Sequence, residues 1–434
     1  MSLKESISNI VIDYIQQKYG KNLKYANQIL SGVKRILIDK DYKFPKKLSV
    51  GKISKNIIIQ NALSKLNEKE SRRKKEGVYY TDSDVTNFIC VNVMFHYIET
   101  RTKDIKGFET CIDILSEKSK DKLTKIFNAT IFDPTCGAGE FLLSALSIKM
   151  ELCKKLHNYN VLDLVRNIYG NDIETQSTDI AKIRIFFYVI DNSSDLVDID
   201  GIVSIMNHNF TNIDMVNTKD NVAWNKKDII LGNPPYVEYR NFGGKHKHNY
   251  GNVYADVLHN SVEVMSEKGI MAFVVPLSYV STIRMKGIRD YISKNAEKQI
   301  VLNFADRPDA LFSCVHQKLT IILAQKKSTY KGVLSSSYKY WYKAERDSLF
   351  NNISVIETDT SNDAYWPKIG NKTELDIYKK IQKRKGKCIY ELKSEKGANK
   401  SIYLNQRGCF WMKVFLKEMN SKSTGMKTKC TMWV

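Results

Sequence analysis

Ile131-Phe132-Asp133-Pro134-Thr135-Cys136-Gly137-Ala138-Gly139-Glu140-Phe141-Leu142 runs from an apolar pair into an acid and a proline. It then passes two glycines one residue apart and resumes as an apolar-rich stretch. The pattern is that of a buried strand, a tight turn and a helix. Glycines in such a turn let the backbone approach a ligand closely, and the helix N-terminus presents N–H groups without intrahelical partners. The third glycine of the dinucleotide fingerprint is missing, because Leu142 stands in its place. The next candidate ribose-binding acid, Asp172, lies 35 residues after Gly137, where a dinucleotide site expects it about 20 on. A nicotinamide dinucleotide is therefore disfavoured. The strand-end acid Asp133 suits a cationic ligand better than a pyrophosphate.

On both sides of this stretch, short β-rich runs alternate with longer helix-compatible segments. The runs are 130–132, 168–169, 228–231, 270–275, 300–304 and 319–323. That alternation predicts an α/β fold with a Rossmann-like, doubly wound, mostly parallel sheet. Asp172 ends the second run, where its carboxylate can accept both hydroxyls of a ribose or, equally, cap a helix. After the run 228–231 comes Gly232-Asn233-Pro234-Pro235-Tyr236. Two prolines hold the backbone extended and remove two N–H donors. What remains is the Asn233 side-chain carbonyl, the Pro234 backbone carbonyl and an aromatic ring. Two acceptors beside a stacking face suit a planar group carrying an NH2, whose nitrogen becomes nucleophilic when both hydrogens are accepted.

Together these motifs resemble the S-adenosylmethionine-dependent N6-adenine DNA methyltransferases, in the flavour of the methyltransferase part of type IIG restriction–modification enzymes. The resemblance spans roughly residues 70–330 and implies a seven-stranded methyltransferase sheet. It also takes in Gly77-Val78-Tyr79-Tyr80-Thr81, Tyr254-Ala255-Asp256-Val257 and the run 269–276. By resemblance, Thr81 and the turn with Asp133, Pro134, Cys136, Gly137 and Gly139 hold the methionine part of S-adenosylmethionine. Asp172 takes the ribose, Ile173 joins it in the cofactor-binding set, and Asn209-Phe210 reads the adenine where the family usually has Asp-Phe. Asn233, Pro234, Pro235 and Tyr236 form the catalytic tetrapeptide, with Tyr236 and Phe312 sandwiching a flipped-out target base. Cys136 reads as a packing residue within the turn. No metal is required.

Charge divides the chain into three segments. Residues 1–75 carry 18 Lys/Arg against 6 Asp/Glu, and 326–434 carry 23 against 10, whereas 76–325 carry 27 against 31. Basic flanks around a slightly acidic centre suggest a polyanion gripped at the ends. The expected organisation is a basic helical segment over 1–75, a catalytic domain over 76–325 and a smaller mixed recognition domain over 326–434, abbreviated or truncated relative to the family. The expected partner is double-stranded DNA, with a separate restriction nuclease or specificity subunit besides. Eight scattered cysteines without a CxxC, no signal peptide and no membrane span point to a reduced, prokaryotic cytoplasm. Lys245-His246-Lys247-His248 reads as a basic loop near DNA phosphates or as plain surface. Tyr340-Trp341-Tyr342 reads as base-stacking or core. Three rivals to DNA adenine methylation stay open: an RNA adenine methyltransferase, a glutamine-amide methyltransferase, and a cofactor-binding DNA-recognition subunit without activity. The basic flanks disfavour the glutamine enzyme.

Overall fold

A computed structural model describes residues 2–39, 41–49, 57–70, 81–154, 160–193, 197–216, 225–241, 248–312, 316–362, 364–384, 401–404, 414–415 and 431–433. Residues 71–80 and 245–247, which include parts of two sequence features above, lie outside these. The chain divides into two compact units, Met1–Lys372 and Thr373–Val434. Among the described residues, no helix is long and apolar enough to cross a membrane.

The first unit is organised by one sheet. Its strands are β1 (Ile131–Asp133), β2 (Ile168–Asn171), β3 (Phe210–Thr211), β4 (Lys227–Gly232), β5 (Met265–Pro276), β6 (Lys298–Phe304), β7 (Leu319–Gln325), β8 (Gly332–Lys339) and β9 (Val355–Glu357). They lie in the order β3-β2-β1-β4-β5-β7-β6-β8-β9. The half from β3 to β5 is parallel. β7 runs antiparallel between β5 and β6, and β8 is parallel to β6. The mostly parallel α/β sheet agrees with the sequence reading, and all six expected runs are strands.

Burial on both faces explains the continuous apolar runs. Side chains along a strand alternate between faces, and here they enter two apolar layers. Ile131, Ile229 and Leu231 join one layer with the helices Ser83–Ile98, Glu140–Cys153 and Thr175–Asn192. Phe132 and Ile230 join the other with the helices Val253–Val264 and Lys286–Asn295. The helices Leu3–Tyr19, Leu23–Ile36 and Ile59–Glu70 extend the first layer through Ile7, Val11, Ile29, Val33 and Leu63. Polar ties fix them there: Tyr14 and Tyr19 donate to Asp191, and Tyr42 donates to Asp179 at 2.8 Å. These three helices pack against one another and against the helices Thr175–Asn192 and Ile199–Asn209.

Among the described residues this sheet has nine strands, where seven were expected. The extra pair, β8 and β9, comes from the polar-looking stretch after residue 326. Its serines are buried without being apolar, so no alternation marks the strand. Asn303 of β6 satisfies them: its N–H donates to Ser336 Oγ at 2.9 Å, and its Nδ2 donates to Ser335 Oγ and the Ser336 carbonyl at 3.1 Å. Thr320 of β7 completes the seam by donating to Asn303 Oδ1 at 3.2 Å. β3 escaped notice because two residues are too few to display a period. The second unit contains the end of the helix Lys372–Gln382 and a three-stranded antiparallel sheet of Ser401–Leu404, Val414–Phe415 and Thr431–Trp433.

Replacing Asn303 by leucine strands buried polar groups on β7 and β8. At about 1–3 kcal/mol for each unsatisfied group, the loss should be about 3 kcal/mol. Urea titration should show a lower midpoint at unchanged slope; an unchanged midpoint would contradict the seam.

Candidate active site

Order β2-β1-β4 makes β1 the point where the chain's winding reverses, and open α/β sheets bind ligands in the crevice at such a point. The turn after β1 needs left-handed backbone at Gly137 (φ 52°) and Gly139 (φ 83°), a region glycine enters without strain. A Cβ on Gly139 would also press on Ala181 at 3.0 Å. The turn is anchored to β2 by Cys136 N–H donating to the Asn171 carbonyl at 2.7 Å. Asn171, fully buried, also donates from Nδ2 to the Pro134 and Ile213 carbonyls. Its Oδ1 accepts from Thr211 Oγ1 and Ile213 N–H. One amide therefore knots the ends of β1, β2 and β3.

Asp172 follows, accepting from Gly137 N–H and Glu174 N–H, both at 2.9 Å. Burial pushes its carboxyl up to about 6, and the two N–H groups oppose that rise. Asp133 is 2% exposed. Burial first, and then the neighbouring Asp172 charge, hold its carboxyl well above the ordinary range, against the Thr135 N–H at 3.0 Å. Burial likewise raises the Cys136 thiol well above its usual value, which fits a packing group rather than a thiolate.

β4 delivers the second half of the site. Gly232 lies beside Asp133, and a Cβ built on it would sit 2.6 Å from Asp133 Oδ1. Beyond it, Asn233 Nδ2 donates to Thr81 Oγ1 at 3.0 Å, so Oδ1 is the amide's acceptor; Tyr236 OH contacts it. Tyr236 OH also lies 3.1 Å from the Val274 carbonyl of β5. The Tyr236 ring stands edge-on to Tyr254, centroids 6.4 Å apart. Pro234 is buried, whereas Asn233, Pro235 and Tyr236 are half-buried.

A cavity of about 470 Å³ joins these pieces. Its wall includes Thr81, Asp133, Pro134, Cys136 and Gly137 of the expected cofactor set. Asp172, the 59% exposed Ile173, and Asn233 and Pro235 line it too. Asn209 and Phe210 do not. Asn209 spends its Nδ2 on the Arg166 and Ile168 carbonyls, both at 2.9 Å. Phe210 packs on Gly170, where a Cβ would lie 2.5 Å from its ring. Past the end of β3 the cavity is lined instead by Ile213, Asp214, Met215 and Val216. Asp214 is an acid flanked by apolar residues, the same signature as Asp133, and that signal could have found it. Phe312 is 2% exposed within the apolar core and is not part of the wall. Ser64 and Asn67 of the N-terminal helix Ile59–Glu70 are on the wall, which no motif announced.

Residues 166–310 match the family model described as Eco57I restriction-modification methylase. Over 153 residues the chain is 30% identical to a Methanocaldococcus jannaschii protein named as a type II restriction enzyme and methyltransferase, across 28% of this chain and 13% of that one. It is 21% identical over 305 residues to the type II methyltransferase M.BanIII of Aneurinibacillus aneurinilyticus, across 65% and 44% respectively. The chain thus spans less than half the length of either relative. Among solved structures, the DrdV–DNA complex shares the fold with a TM-score of 0.54 at 15% identity, over 83% of this chain and 45% of that one. The type ISP enzyme LlaBIII bound to DNA does so at 0.50 and 15%, over 92% and 34%. The resemblance to restriction–modification methylases read from the motifs therefore stands.

Gly232→Ala tests the apposition of the two half-sites. Forcing a methyl against Asp133 should cost about 1–3 kcal/mol of stability, as overpacking does, and weaken S-adenosylmethionine binding at least about tenfold by displacing the turn. Wild-type stability and affinity in this variant would show that the two strand ends are not in contact.

Proposed function

We propose that this chain, a relative of restriction–modification methylases, moves a methyl group from S-adenosylmethionine to the exocyclic amino group of an adenine in double-stranded DNA. The observation that carries the proposal is the position of Asn233: it lines the cavity from the end of β4, one strand away from a turn built to take a small ligand. The donor set fits the cofactor. Two half-buried or buried carboxylates, Asp172 and Asp133, and the wall acid Asp214 face a cavity that also offers the exposed apolar surface of Ile173. Acids there favour a ligand with hydroxyls, an amino group and a positive charge over a phosphate. In this reading Asp172 takes the ribose, Asp214 takes over the adenine-reading role first expected of Asn209, and Thr81 with the 133–139 turn holds the amino-acid end. When bound, the cofactor supplies an electrophilic methyl on a sulfonium.

The protein's share is positioning. Asn233 Oδ1 and the Pro234 carbonyl accept the two amino hydrogens of the target, and Tyr236 turns from Asn233 to stack on its ring. A base within a duplex is out of reach, so it is flipped out at a cost of a few kcal/mol. Because the acceptors are fixed before the target arrives, little reorganisation remains for the reaction itself.

The duplex would lie along the carboxyl edge of the sheet. Registers join Lys339 to Phe304, Phe304 to Leu319 and Leu319 to Pro276 in one row, and Gly232 pairs with Phe273. The end of β8 is therefore four strand spacings from the Asn233 turn, ~19 Å at ~4.8 Å each. That equals five to six base pairs at ~3.4 Å. Along this row Arg307, Lys318 and Lys343 are exposed, as are Tyr340 (54%) and Tyr342 (66%), while Trp341 is buried core. A restriction nuclease or specificity subunit acting with this chain belongs to the same proposal.

Three outcomes test the proposal. Asn233→Ala should nearly abolish N6-methyladenine in digested DNA while keeping cofactor binding; undiminished product would refute the role of the tetrapeptide. Lys318→Gln with Lys343→Gln should weaken DNA binding and lower its salt slope by about 1 per lysine without altering cofactor affinity; an unchanged slope would remove the row from the interface. Cofactor affinity should also fall as pH drops through about 6, where Asp172 takes up a proton, and that step should vanish in Asp172→Asn. The sign for stability is opposite. A folded pKa above the unfolded value near 3.9 means that this group's contribution is complete below about pH 4 and is lost as pH rises through 6.

A further inference from the structure

Arg346 lies in the short 3-10 helix Lys343–Ser348, in the stretch between β8 and β9 and beyond the residues matched by the family model. Its guanidinium is only 21% exposed, and every nitrogen is engaged. Nε and Nη2 grip the two oxygens of Asp84 at 2.6 and 2.9 Å. Nη2 also reaches Asp82 Oδ2 at 3.3 Å. Nη1 donates to the Leu311 carbonyl at 2.9 Å and to that of Ala310 at 3.4 Å. This is a planar fork on a carboxylate, the geometry that Arg provides and Lys does not.

The fork closes on the first turn of the helix Ser83–Ile98, with Asp82 at its N-cap position. Thr81 immediately precedes that cap, and Thr81 Oγ1 is the atom that receives Asn233 Nδ2. Holding Asp82 and Asp84 thus holds Thr81, and holding Thr81 keeps the Asn233 amide turned with its nitrogen toward Thr81 and its oxygen, which receives the Tyr236 hydroxyl, as the acceptor side. The same turn is cemented by Phe350, which stacks on Phe88 of that helix with centroids 4.3 Å apart and planes 16° apart. Isolated surface ion pairs contribute only about 0–1 kcal/mol. A half-buried bidentate pair that also satisfies two backbone carbonyls serves placement more than stability.

We infer that Arg346 is a positioning residue: through Asp82, Asp84 and Thr81 it sets the orientation of the Asn233 amide and the threonine side of the cofactor cavity. The connection between β8 and β9 therefore takes part in the site although it lies outside the cavity wall. This rests on the reading that Asn233 performs the transfer.

The test compares Arg346→Met, Arg346→Lys, Thr81→Val and the Arg346→Met/Thr81→Val pair. Three quantities are read: thermal midpoint, the calorimetric dissociation constant of S-adenosylhomocysteine, and the single-turnover rate of methyl transfer to duplex DNA. Arg346→Met should weaken binding several-fold and slow transfer at least about tenfold, since small misplacements near the chemistry are costly. Arg346→Lys should recover only part of this. The double variant should be no worse than the poorer single one, because both act through one contact. A lowered midpoint with both constants at wild-type values, or losses that multiply in the double variant, would overturn the inference. Should Arg346→Met not fold, Asp84→Asn makes the same comparison. If the wild-type chain transfers no methyl, the functional reading fails, and the binding constants still decide whether Arg346 controls the Thr81 side of the cavity.

Discussion

Everything at the site hangs on the closeness of two strand ends. Asp133 closes β1, Gly232 closes β4, and there is no room for even a methyl group between them. Neighbouring strands are ~4.8 Å apart, so the turn that follows one is forced against the turn that follows the other. Reversal of winding at β1 sends the connecting helices to opposite faces and leaves that junction uncovered. A ligand pocket and an amide acceptor are thereby adjacent without any long-range contact having to bring them together.

The same closeness creates an electrostatic problem. Asp133 and Asp172 crowd one crevice, and both carboxyls are raised by burial. Backbone N–H groups from Thr135, Gly137 and Glu174 offset part of the cost. What is left is a pocket of buried carboxyls that would gain from a cationic ligand. Around it the supports are polar and local: Asn171 knots three strand ends, Arg184 holds the turn at the Ala138 carbonyl and pairs with Glu140, and Ser64 of the N-terminal helix reaches Glu140 at 2.7 Å. The helices before the sheet and the strands after it are therefore parts of one assembly, Met1–Lys372.

The sheet was legible in the sequence wherever strands are buried on both faces, because Ile, Val and Leu runs such as 228–231 and 319–323 have no other explanation. The glycine turn and the Asn-Pro-Pro-Tyr turn were legible because their backbone needs restrict the residues allowed. β8 was not, since its core-facing positions are serines whose burial depends on Asn303 some thirty residues earlier. Asp214 on the cavity wall was not legible for a related reason. β3 is only Phe210–Thr211, so Asn209 stands just before it, and the acid that lines the cavity, Asp214, lies three residues beyond its end. Phe312 was placed by resemblance alone, and the fold puts it in the core. The contributions of Ser64, Asn67 and Arg346 left no local trace, because each acts across sequence gaps that only the folded chain closes.

The most direct test of the account is transfer of labelled methyl from S-adenosylmethionine to unmethylated genomic DNA at low salt, with each modified base read individually. Low salt keeps the phosphate contacts on which binding depends. The account predicts label on the amino nitrogen of adenines within one short recurring sequence. Label on RNA or protein instead of DNA, or none with the cofactor bound, would contradict it.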